Sequence, residues 1–390
     1  MCRMLAAKTG LIMTGSLLIG STAWALEDAD NANIEALVND TIAPLMAEYR
    51  IPGMSVALSI NGQPYYFNYG VADLEAETPV TEETLFELGS ISKVFTATLA
   101  AYAASNGDLS LTDSASQHLP ALEGSAFDEI TLLELGTYTA GELPLQFPEA
   151  VQDEAAMVDY YRQWQPESPP GSHRLYSNPS MGLFGYLAAQ RLGKRFETLM
   201  QEDLLTPLGL ENSYYQVPDP QQPHYAYGYS QDDEPIRVNP GMLDAQAYGL
   251  KSTAADVLAF VEANMDGAGL DGSLSQAMAT TRAGYFEVGN MTQGLGWESY
   301  PYPVPLDKLV QGNSLEMILD ANPVSRLSPP QPPRQQALYN KTGSTNGFGG
   351  YVVFVPSEQI GIVMLANRNY PNQARIKVAH QLLTALTDGH

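Results

Sequence analysis

The sequence predicts an α/β protein in which one antiparallel sheet, built from both chain ends, is flanked by helices and carries an inserted, mainly helical lobe. Two strand-like segments near the N-terminus are joined by a tight-turn signal, and three more follow one another closely near the C-terminus. Between them lies a long stretch of helical segments and loops marked by proline and glycine. Because short turns join antiparallel neighbours, the strands at each end should pair in sequence order.

Turn residues mark the strands at the two chain ends. Residues 54–60 and 63–69 are strand-like, and the Asn61-Gly62 dipeptide that joins them is the strongest short-range signal of a hairpin. The proline-rich segment at residues 328–333 predicts a stiff, extended connector. Three further strand-like runs come after it, at residues 337–342, 350–355 and 360–366.

Helical periodicity marks three segments. Residues 34–49 predict a first helix, which Pro44 should kink or split. Residues 90–104 predict a helix with one buried face, and residues 374–386 predict a terminal helix.

The first 25 residues have the pattern of a secretory signal peptide. Two basic residues precede a short apolar stretch at residues 11–20, and Ala-Trp-Ala at residues 23–25 fits a cleavage site. The apolar stretch is too short to span a bilayer. We therefore predict a signal peptide at residues 1–25 and a single mature domain at residues 26–390, exported to the periplasm. Its α/β lobe should come from the N- and C-terminal segments and its helical lobe from the middle.

Composition excludes several function classes. The chain has 390 residues, a formal net charge of −25 and one cysteine, Cys2. So acidic a surface disfavours nucleic acid and anionic membranes, and indicates either solubility or adaptation to salty surroundings. Because Cys2 leaves with the signal peptide, no thiolate remains for catalysis or for metal binding. No histidine cluster has metal-ligand spacing, so we expect no metal and no cofactor. A monomer is the default expectation.

A first motif places Ser90 three residues before Lys93, following Gly89 at a helix start. Residues at i and i+3 share a helix face, so the lysine amine can reach the serine hydroxyl. A lysine takes that proton only if burial or a neighbouring cation lowers its pKa. Taken alone, this spacing is also common in ordinary amphipathic helices.

A second motif is Tyr176-Ser177-Asn178, followed by Pro179. A residue before proline favours extended backbone, in which alternate side chains point the same way. Tyr176 and Asn178 should then face one cleft, where a tyrosine with a lowered pKa can carry protons and an asparagine can bind an amide. Alone, the same pattern is typical of a surface loop.

A third motif is Lys341-Thr342-Gly343 at a predicted strand end. Lysine and threonine can bind a substrate carboxylate, and glycine lets a substrate approach the backbone closely. The alternative is a charged strand end that leads into a glycine-rich turn.

The three motifs occur together, in this order, and the chain resembles the class C (cephalosporinase-type) serine β-lactamases over almost all of its mature length. Longer family-like stretches lie at residues 138–146, 174–185 and 239–253, in a run ending at Glu298, and in another ending at Arg375. The resemblance implies the β-lactamase/penicillin-binding-protein-like fold. It also implies hydrolysis of the β-lactam amide bond, with cephalosporins favoured as small-molecule substrates.

The resemblance further implies residue roles. Ser90 would become acylated, Lys93 and Tyr176 would manage its proton, Lys341 would keep the network positive, and the backbone N–H groups of Ser90 and Ser344 would bind the oxyanion. It does not decide between Lys93 and Tyr176 as the base. Substrate-binding positions implied by the family are Gln146, Asn178, Tyr248, Thr342, Gly343, Asn372 and Arg375, the last two on the carboxylate side, with Glu298 near the rim.

The sequence departs from its relatives at two positions. Asn340 stands where many relatives have histidine, and Ser344 stands where alanine is frequent. Neither change removes a catalytic group, and both can tune rate or substrate choice.

Other functions remain open on the motifs alone. A D-alanyl-D-alanine peptidase or a lactamase-like esterase of the same fold would also form an acyl-serine. A non-hydrolytic binder of β-lactams or cell-wall peptides would stop at that stage. A Ser-His-Asp hydrolase is disfavoured because the chain has no G-x-S-x-G motif.

Overall fold

The computed structural model of the protein describes residues 20–267 and 269–388. Most of the predicted signal peptide, residues 1–25, lies outside these residues, and its cleavage stays a prediction. Among the described residues no helix is both long enough and apolar enough to cross a membrane.

The helices of the described chain differ widely in length. They are α1 (Gly20–Tyr49), α2 (Ser92–Ser105), α3 (Ala115–His118), α4 (Leu132–Gly136), α5 (Glu154–Gln163), α6 (Asn178–Leu192), α7 (Phe196–Leu199), α8 (Asp244–Ala247), α9 (Ala254–Met265), α10 (Gly272–Arg282), α11 (Leu306–Gly312), α12 (Leu315–Leu319) and α13 (Asn372–Asp388).

The strands of the described chain cluster towards its two ends. They are β1 (Gly53–Ile60), β2 (Gln63–Asp73), β3 (Thr78–Pro79), β4 (Phe86–Glu87), β5 (His173–Arg174), β6 (Ser213–Tyr214), β7 (Gly228–Tyr229), β8 (Pro235–Ile236), β9 (Lys251–Ser252), β10 (Gly284–Val288), β11 (Met291–Gln293), β12 (Glu298–Pro301), β13 (Asn322–Pro323), β14 (Ser325–Gln331), β15 (Ala337–Ser344), β16 (Gly349–Val355) and β17 (Ile360–Ala366).

One large sheet joins the two chain ends, as predicted. Its strand order in the described chain is β14-β10-β11-β12-β15-β16-β17-β1-β2-β3, and all the pairings within it are antiparallel. The N-terminal hairpin forms at Asn61-Gly62, where both residues have positive φ, as the twist of a two-residue hairpin requires. The three C-terminal strands also pair as predicted, and the predicted terminal helix is α13.

Two cores cover the two faces of the sheet. Alternate β1 side chains, among them Met54, Val56 and Leu58, pack with α1 and α13, whereas Ala57 points to the other face with α2 and α9. A third core fills the helical lobe. The period-two alternation of a strand explains why one segment contributes to both faces.

Helix α2 differs from the predicted amphipathic helix because it is buried nearly all round. Val94, Phe95 and Leu99 pack in the core shared with the sheet, whereas Ala97 and Ala100 pack in the core of the helical lobe. The prediction of a single buried face was wrong because the helix lies between two cores. Its first turn is consequently held rigidly.

Two local predictions also need correction. Pro44 does not split the first helix, because α1 continues through it to its last residue. The proline-rich segment is no mere connector, because much of it belongs to β14, an edge strand that pairs with β10. Proline is tolerated at a sheet edge, where one side of the strand needs no partner.

Candidate active site

Ser90 lies in a short 3-10 turn, Gly89–Ile91, that leads directly into α2. The α-helix therefore begins two residues later than predicted, yet the i, i+3 contact is made: Lys93 Nζ donates a hydrogen bond to Ser90 Oγ at 2.9 Å. Ser90 is partly exposed, whereas Lys93 is fully buried. The Ser90 hydroxyl therefore faces the solvent, while the Lys93 amine that contacts it lies in the protein interior.

The Lys93 amine lies in surroundings that disfavour its charge. Its other hydrogen bond goes to the carbonyl of Ala247, at 2.8 Å. Burial lowers the pKa of Lys93 to about 8, and the neighbouring Lys341 ammonium contributes in the same direction. About a tenth of the amine is thus neutral at pH 7, and this fraction can accept a proton.

Tyr176 lies between two lysines. The Nζ atoms of Lys93 and Lys341 are each 5.0 Å from the centre of its ring. Burial by itself raises the pKa of the Tyr176 phenol, but the two ammonium groups outweigh it and the pKa is lowered overall. The Tyr176 hydroxyl is buried, and the polar groups of Ser90 and Lys93 beside it also favour its ionised form, so it can exchange a proton with them.

Asn178 does not continue an extended segment, as the sequence had suggested, but begins α6. Ser177 is the extended residue, and its hydroxyl caps the helix by accepting from the Ser180 N–H at 3.0 Å. Pro179 fits the first turn, where its missing N–H has no partner to lose. Asn178 and Tyr176 nonetheless line the same cleft.

The end of β15 packs directly against the turn that carries Ser90. A side chain at Gly343 would lie 2.1 Å from the Leu88 carbonyl oxygen, and one at Gly89 would lie 2.6 Å from the Ser344 nitrogen. Gly89 also has a positive φ of 52°. Only glycines permit this approach, which brings the turn that carries Ser90 against the backbone of Gly343 and Ser344.

Behind the lysines lies a buried ion-pair network. Lys341 Nζ is 3.9 Å from Glu298 Oε1, and Arg174 Nη2 donates to the same oxygen at 3.0 Å. Asn340 donates to the Glu298 carbonyl at 3.0 Å and accepts from Tyr351 at 3.2 Å. Glu298 is thus buried beside Lys341, although it also borders the cleft.

The cleft itself has a volume of about 230 Å³. Predicted residues that line it are Ser90, Gln146, Tyr176, Asn178, Glu298, Lys341, Thr342, Gly343, Ser344 and Asn372. Sequence reasoning gave no role to Arg174, or to Asn313, Met317 and Ile318, which also line it. Arg174 lies two residues before Tyr176, and this spacing along an extended segment could have indicated it.

Three predicted residues do not line the cleft. Lys93 lies beneath Ser90, and Tyr248 follows Ala247, whose carbonyl holds Lys93. Arg375 is fully buried and donates to the strand end at Gly343 and Ser344. Arg375 therefore lies behind the strand end that lines the cleft, and its place on the carboxylate side stays a prediction.

The described residues hold no group of three or more His, Cys, Asp or Glu side chains arranged to bind a metal ion. The site is instead made of a serine, two lysines and a tyrosine, with backbone N–H groups at a strand end. A serine whose proton can pass to a buried lysine or tyrosine is an activated nucleophile. The site is therefore that of a serine acyl-transfer enzyme.

Comparison with known proteins agrees with that class. The β-lactamase family profile matches residues 38–387. A β-lactamase of Pseudomonas fluorescens is 54% identical over 354 residues, covering 91% of this chain and 99% of that protein. The chain therefore belongs to the β-lactamase family.

Solved structures show the same fold. A class C β-lactamase in complex with cefoxitin is 46% identical, with a TM-score of 0.89 over 91% of this chain and 99% of that one. A β-lactamase/D-alanine carboxypeptidase from Pseudomonas syringae is 48% identical, with a TM-score of 0.89 over 90% of this chain and 99% of that one. The predicted resemblance and fold class are confirmed.

Proposed function

We propose that this chain is a class C β-lactamase that hydrolyses the β-lactam amide through an acyl-Ser90 intermediate. The observation that carries the proposal is the 2.9 Å contact between Lys93 Nζ and Ser90 Oγ, beside a tyrosine whose pKa is lowered. Family membership supports the substrate class, and the cleft supports the chemistry.

Acylation follows from this arrangement. Ser90 Oγ attacks the lactam carbonyl carbon, while its proton passes to neutral Lys93 or to ionised Tyr176. The backbone N–H groups of Ser90 and Ser344 stabilise the oxyanion, and their adjacency follows from the close packing at Gly89. The carbon–nitrogen bond then breaks, and the lactam nitrogen receives the proton held by the Lys93–Tyr176 set.

Deacylation reuses the same groups. Water loses a proton to Tyr176 or its network and adds to the acyl carbon, and the Ser90 ester bond then breaks as Ser90 Oγ regains a proton. Lys341 keeps the network positive and, with Thr342, binds the substrate carboxylate. Asn178 and Gln146 lie where an acyl side-chain amide would bind.

We also propose cephalosporins as the favoured substrates. The cefoxitin complex of a 46% identical relative supports this choice of compound class. A second function, D-alanine carboxypeptidase, is favoured by one observation: a relative of similar identity is described as having both activities. The two reactions share the acyl-serine and differ in the acyl donor.

Turnover of a chromogenic cephalosporin by the purified mature protein tests the proposal. We expect rapid multiple turnover by the native protein, none by Ser90→Ala, and near-native rates from Ser105→Ala at the far end of α2. A single stoichiometric burst would point to a binder, and faster cleavage of an acyl-D-alanyl-D-alanine peptide would point to a peptidase. Either result would overturn the main assignment.

The remaining proposals concern location and assembly. We infer that residues 26–390 form one catalytic domain, which is exported to the periplasm and acts as a monomer without a cofactor. The signal-like sequence and the strongly acidic composition support this. Cell fractionation and light scattering of the mature protein test it, and a membrane-bound or dimeric form would contradict it.

A further inference from the structure

Arg375, on α13, is built into the active-site wall rather than into the cleft. Its Nη1 donates to the Gly343 carbonyl at 2.6 Å, to Ser344 Oγ at 3.0 Å and to the Gly350 carbonyl at 3.1 Å. Gly343 and Gly350 face each other in the β15–β16 register, so one nitrogen bridges the two strands. It does so at the strand end that provides the Ser344 N–H.

The second nitrogen is also occupied. Nη2 donates to Asn369 Oδ1 at 2.7 Å and to the Tyr370 carbonyl at 2.5 Å, and the guanidinium lies 4.7 Å from the Tyr370 ring centre. Gly349 provides the space for this nitrogen, because a Cβ atom at position 349 would lie 2.6 Å from Nη2. Only Nε–H has no partner, and it is buried.

This geometry excludes direct recognition of a substrate carboxylate. Arg375 has no exposed surface and does not line the cleft. All the N–H groups of its two terminal nitrogens already have protein acceptors, and a carboxylate could reach them only by breaking those bonds. A buried polar group that loses its partners carries a large cost, so the existing contacts persist.

The strand end is consequently fixed from two sides. The Leu88–Ile91 turn presses on Gly343 and Ser344 from one side, and Arg375 binds them from the other. We propose that Arg375 is a positioning residue for the oxyanion-binding N–H of Ser344. This inference rests on the proposed acyl-Ser90 chemistry and assigns Arg375 to the transition state instead of to ground-state binding of the carboxylate.

The Ser344 side chain couples Arg375 to the strand end of β15. Its hydroxyl accepts from Arg375 Nη1, a contact that alanine at this position could not make. Ser344 thus carries both the backbone N–H that we assign to the oxyanion and a side-chain anchor for Arg375. The effects of Ser344→Ala and Arg375→Lys should therefore not add.

The test uses phenylboronic acid, a probe with no carboxylate. Ser90 Oγ forms a bond to boron while the Ser90 proton passes to the Lys93–Tyr176 set, and one oxygen of the tetrahedral boronate occupies the oxyanion position. We compare the native mature protein with Arg375→Met, Arg375→Lys and the control Lys377→Met, which removes an exposed cation two residues along α13. Arg375→Lys covers the case in which Arg375→Met fails to fold.

We expect both Arg375 variants to bind phenylboronic acid about 10- to 100-fold more weakly and to lose kcat for the cephalosporin by a similar factor. The KM should change less than kcat, and Lys377→Met should match the native protein. Unchanged boronate binding with a raised KM would return Arg375 to carboxylate recognition and overturn the inference. Unchanged kinetics with only a lower Tm would also overturn it.

The experiments distinguish failure of the proposed β-lactamase function from failure of the positioning role of Arg375. If the native protein binds phenylboronic acid but does not turn over cephalosporins, the proposed function fails, and the boronate comparison still tests Arg375. If the native protein turns over cephalosporins and the Arg375 variants keep native boronate affinity, only the positioning role fails.

Discussion

Lys93 Nζ donates to Ser90 Oγ at 2.9 Å while having no exposed surface and no carboxylate as a hydrogen-bond partner. An ammonium in such a place has lost its hydration, and its hydrogen bonds go to a hydroxyl and a carbonyl, both uncharged. Its pKa falls to about 8 for that reason. The burial that activates the nucleophile is therefore also a source of instability in the folded state.

A direct titration should detect this amine. We expect one lysine of the folded protein to titrate at a pKa of about 8, well below the value near 10.4 of an exposed lysine. Carbon-13 NMR of lysine-labelled protein would follow it, and Lys93→Met should remove that signal alone. If every lysine titrated above pH 10, the activation argument would be wrong.

The same amine predicts a gain in stability on mutation. Below pH 8 both folded and unfolded states are protonated, so the native protein bears the full cost of burying the charge. Lys93→Met should then abolish turnover and stabilise the fold at pH 7 by about 2 kcal/mol, after allowing for the lost hydrogen bonds.

The direction in which the free energy of unfolding changes with pH follows from the number of protons that each state binds. Between about pH 8 and the unfolded-state pKa near 10.4, the unfolded state binds the proton that the native state has released, so native stability rises with pH. The advantage of Lys93→Met should shrink over that range. Denaturant unfolding at pH 7 and pH 10 measures it, with Lys377→Met as a control within about 0.5 kcal/mol of native. An advantage that grew with pH would contradict this account.

Glu298 should tune the Lys93 pKa from behind Lys341. Its charge raises the pKa of Lys93, so Glu298→Gln should lower that pKa further below 8. The variant also leaves Arg174 without its buried partner, at an expected cost of about 3 kcal/mol. The NMR titration and denaturant unfolding check both effects, and an unchanged or raised Lys93 pKa would refute the coupling.

Lys341→Ala tests the electrostatic role of the second lysine. Its ammonium lies 5.0 Å from the Tyr176 ring centre and is the largest influence that lowers the Tyr176 pKa. We expect kcat/KM for a cephalosporin to fall by about 3 kcal/mol in transition-state stabilisation. Native kinetics in this variant would show that Lys341 does not anchor the network.

In the loop before Gln146, the backbone of Glu142 is strained, and a substitution can relieve that strain. Glu142 has a positive φ of 76°, which is unfavourable for a residue with a Cβ atom. Glu142→Gly should stabilise the fold by about 1 kcal/mol, after the greater unfolded-state freedom of glycine is subtracted. Asn61→Gly is the matched control, because asparagine already tolerates positive φ (here 53°) and little gain is expected. Thermal unfolding of both variants measures the difference, and equal shifts would argue against strain at Glu142.

The residues that need only local chemistry were predictable from the sequence. The Asn61-Gly62 hairpin, the three C-terminal strands and the terminal helix depend on turn residues and on periodicity within a few positions. The i, i+3 contact of Ser90 and Lys93 is local in the same way, and survives even though Ser90 precedes the α-helix. Here the sequence spacing and the structure agree because the two interacting residues are only one helical turn apart in the chain.

Only the tertiary structure decided which side chains are buried where distant segments meet. The burial of α2 on nearly all sides and the pairing of the proline-rich segment in β14 each depend on partners far away in the chain. The burial of Glu298 and Arg375 follows from the same packing. Sequence by itself determined the kinds of groups in the site and their local spacing. Packing determined which of those groups face the cleft and which support its walls, because burial and pKa depend on neighbours that the chain brings together only on folding.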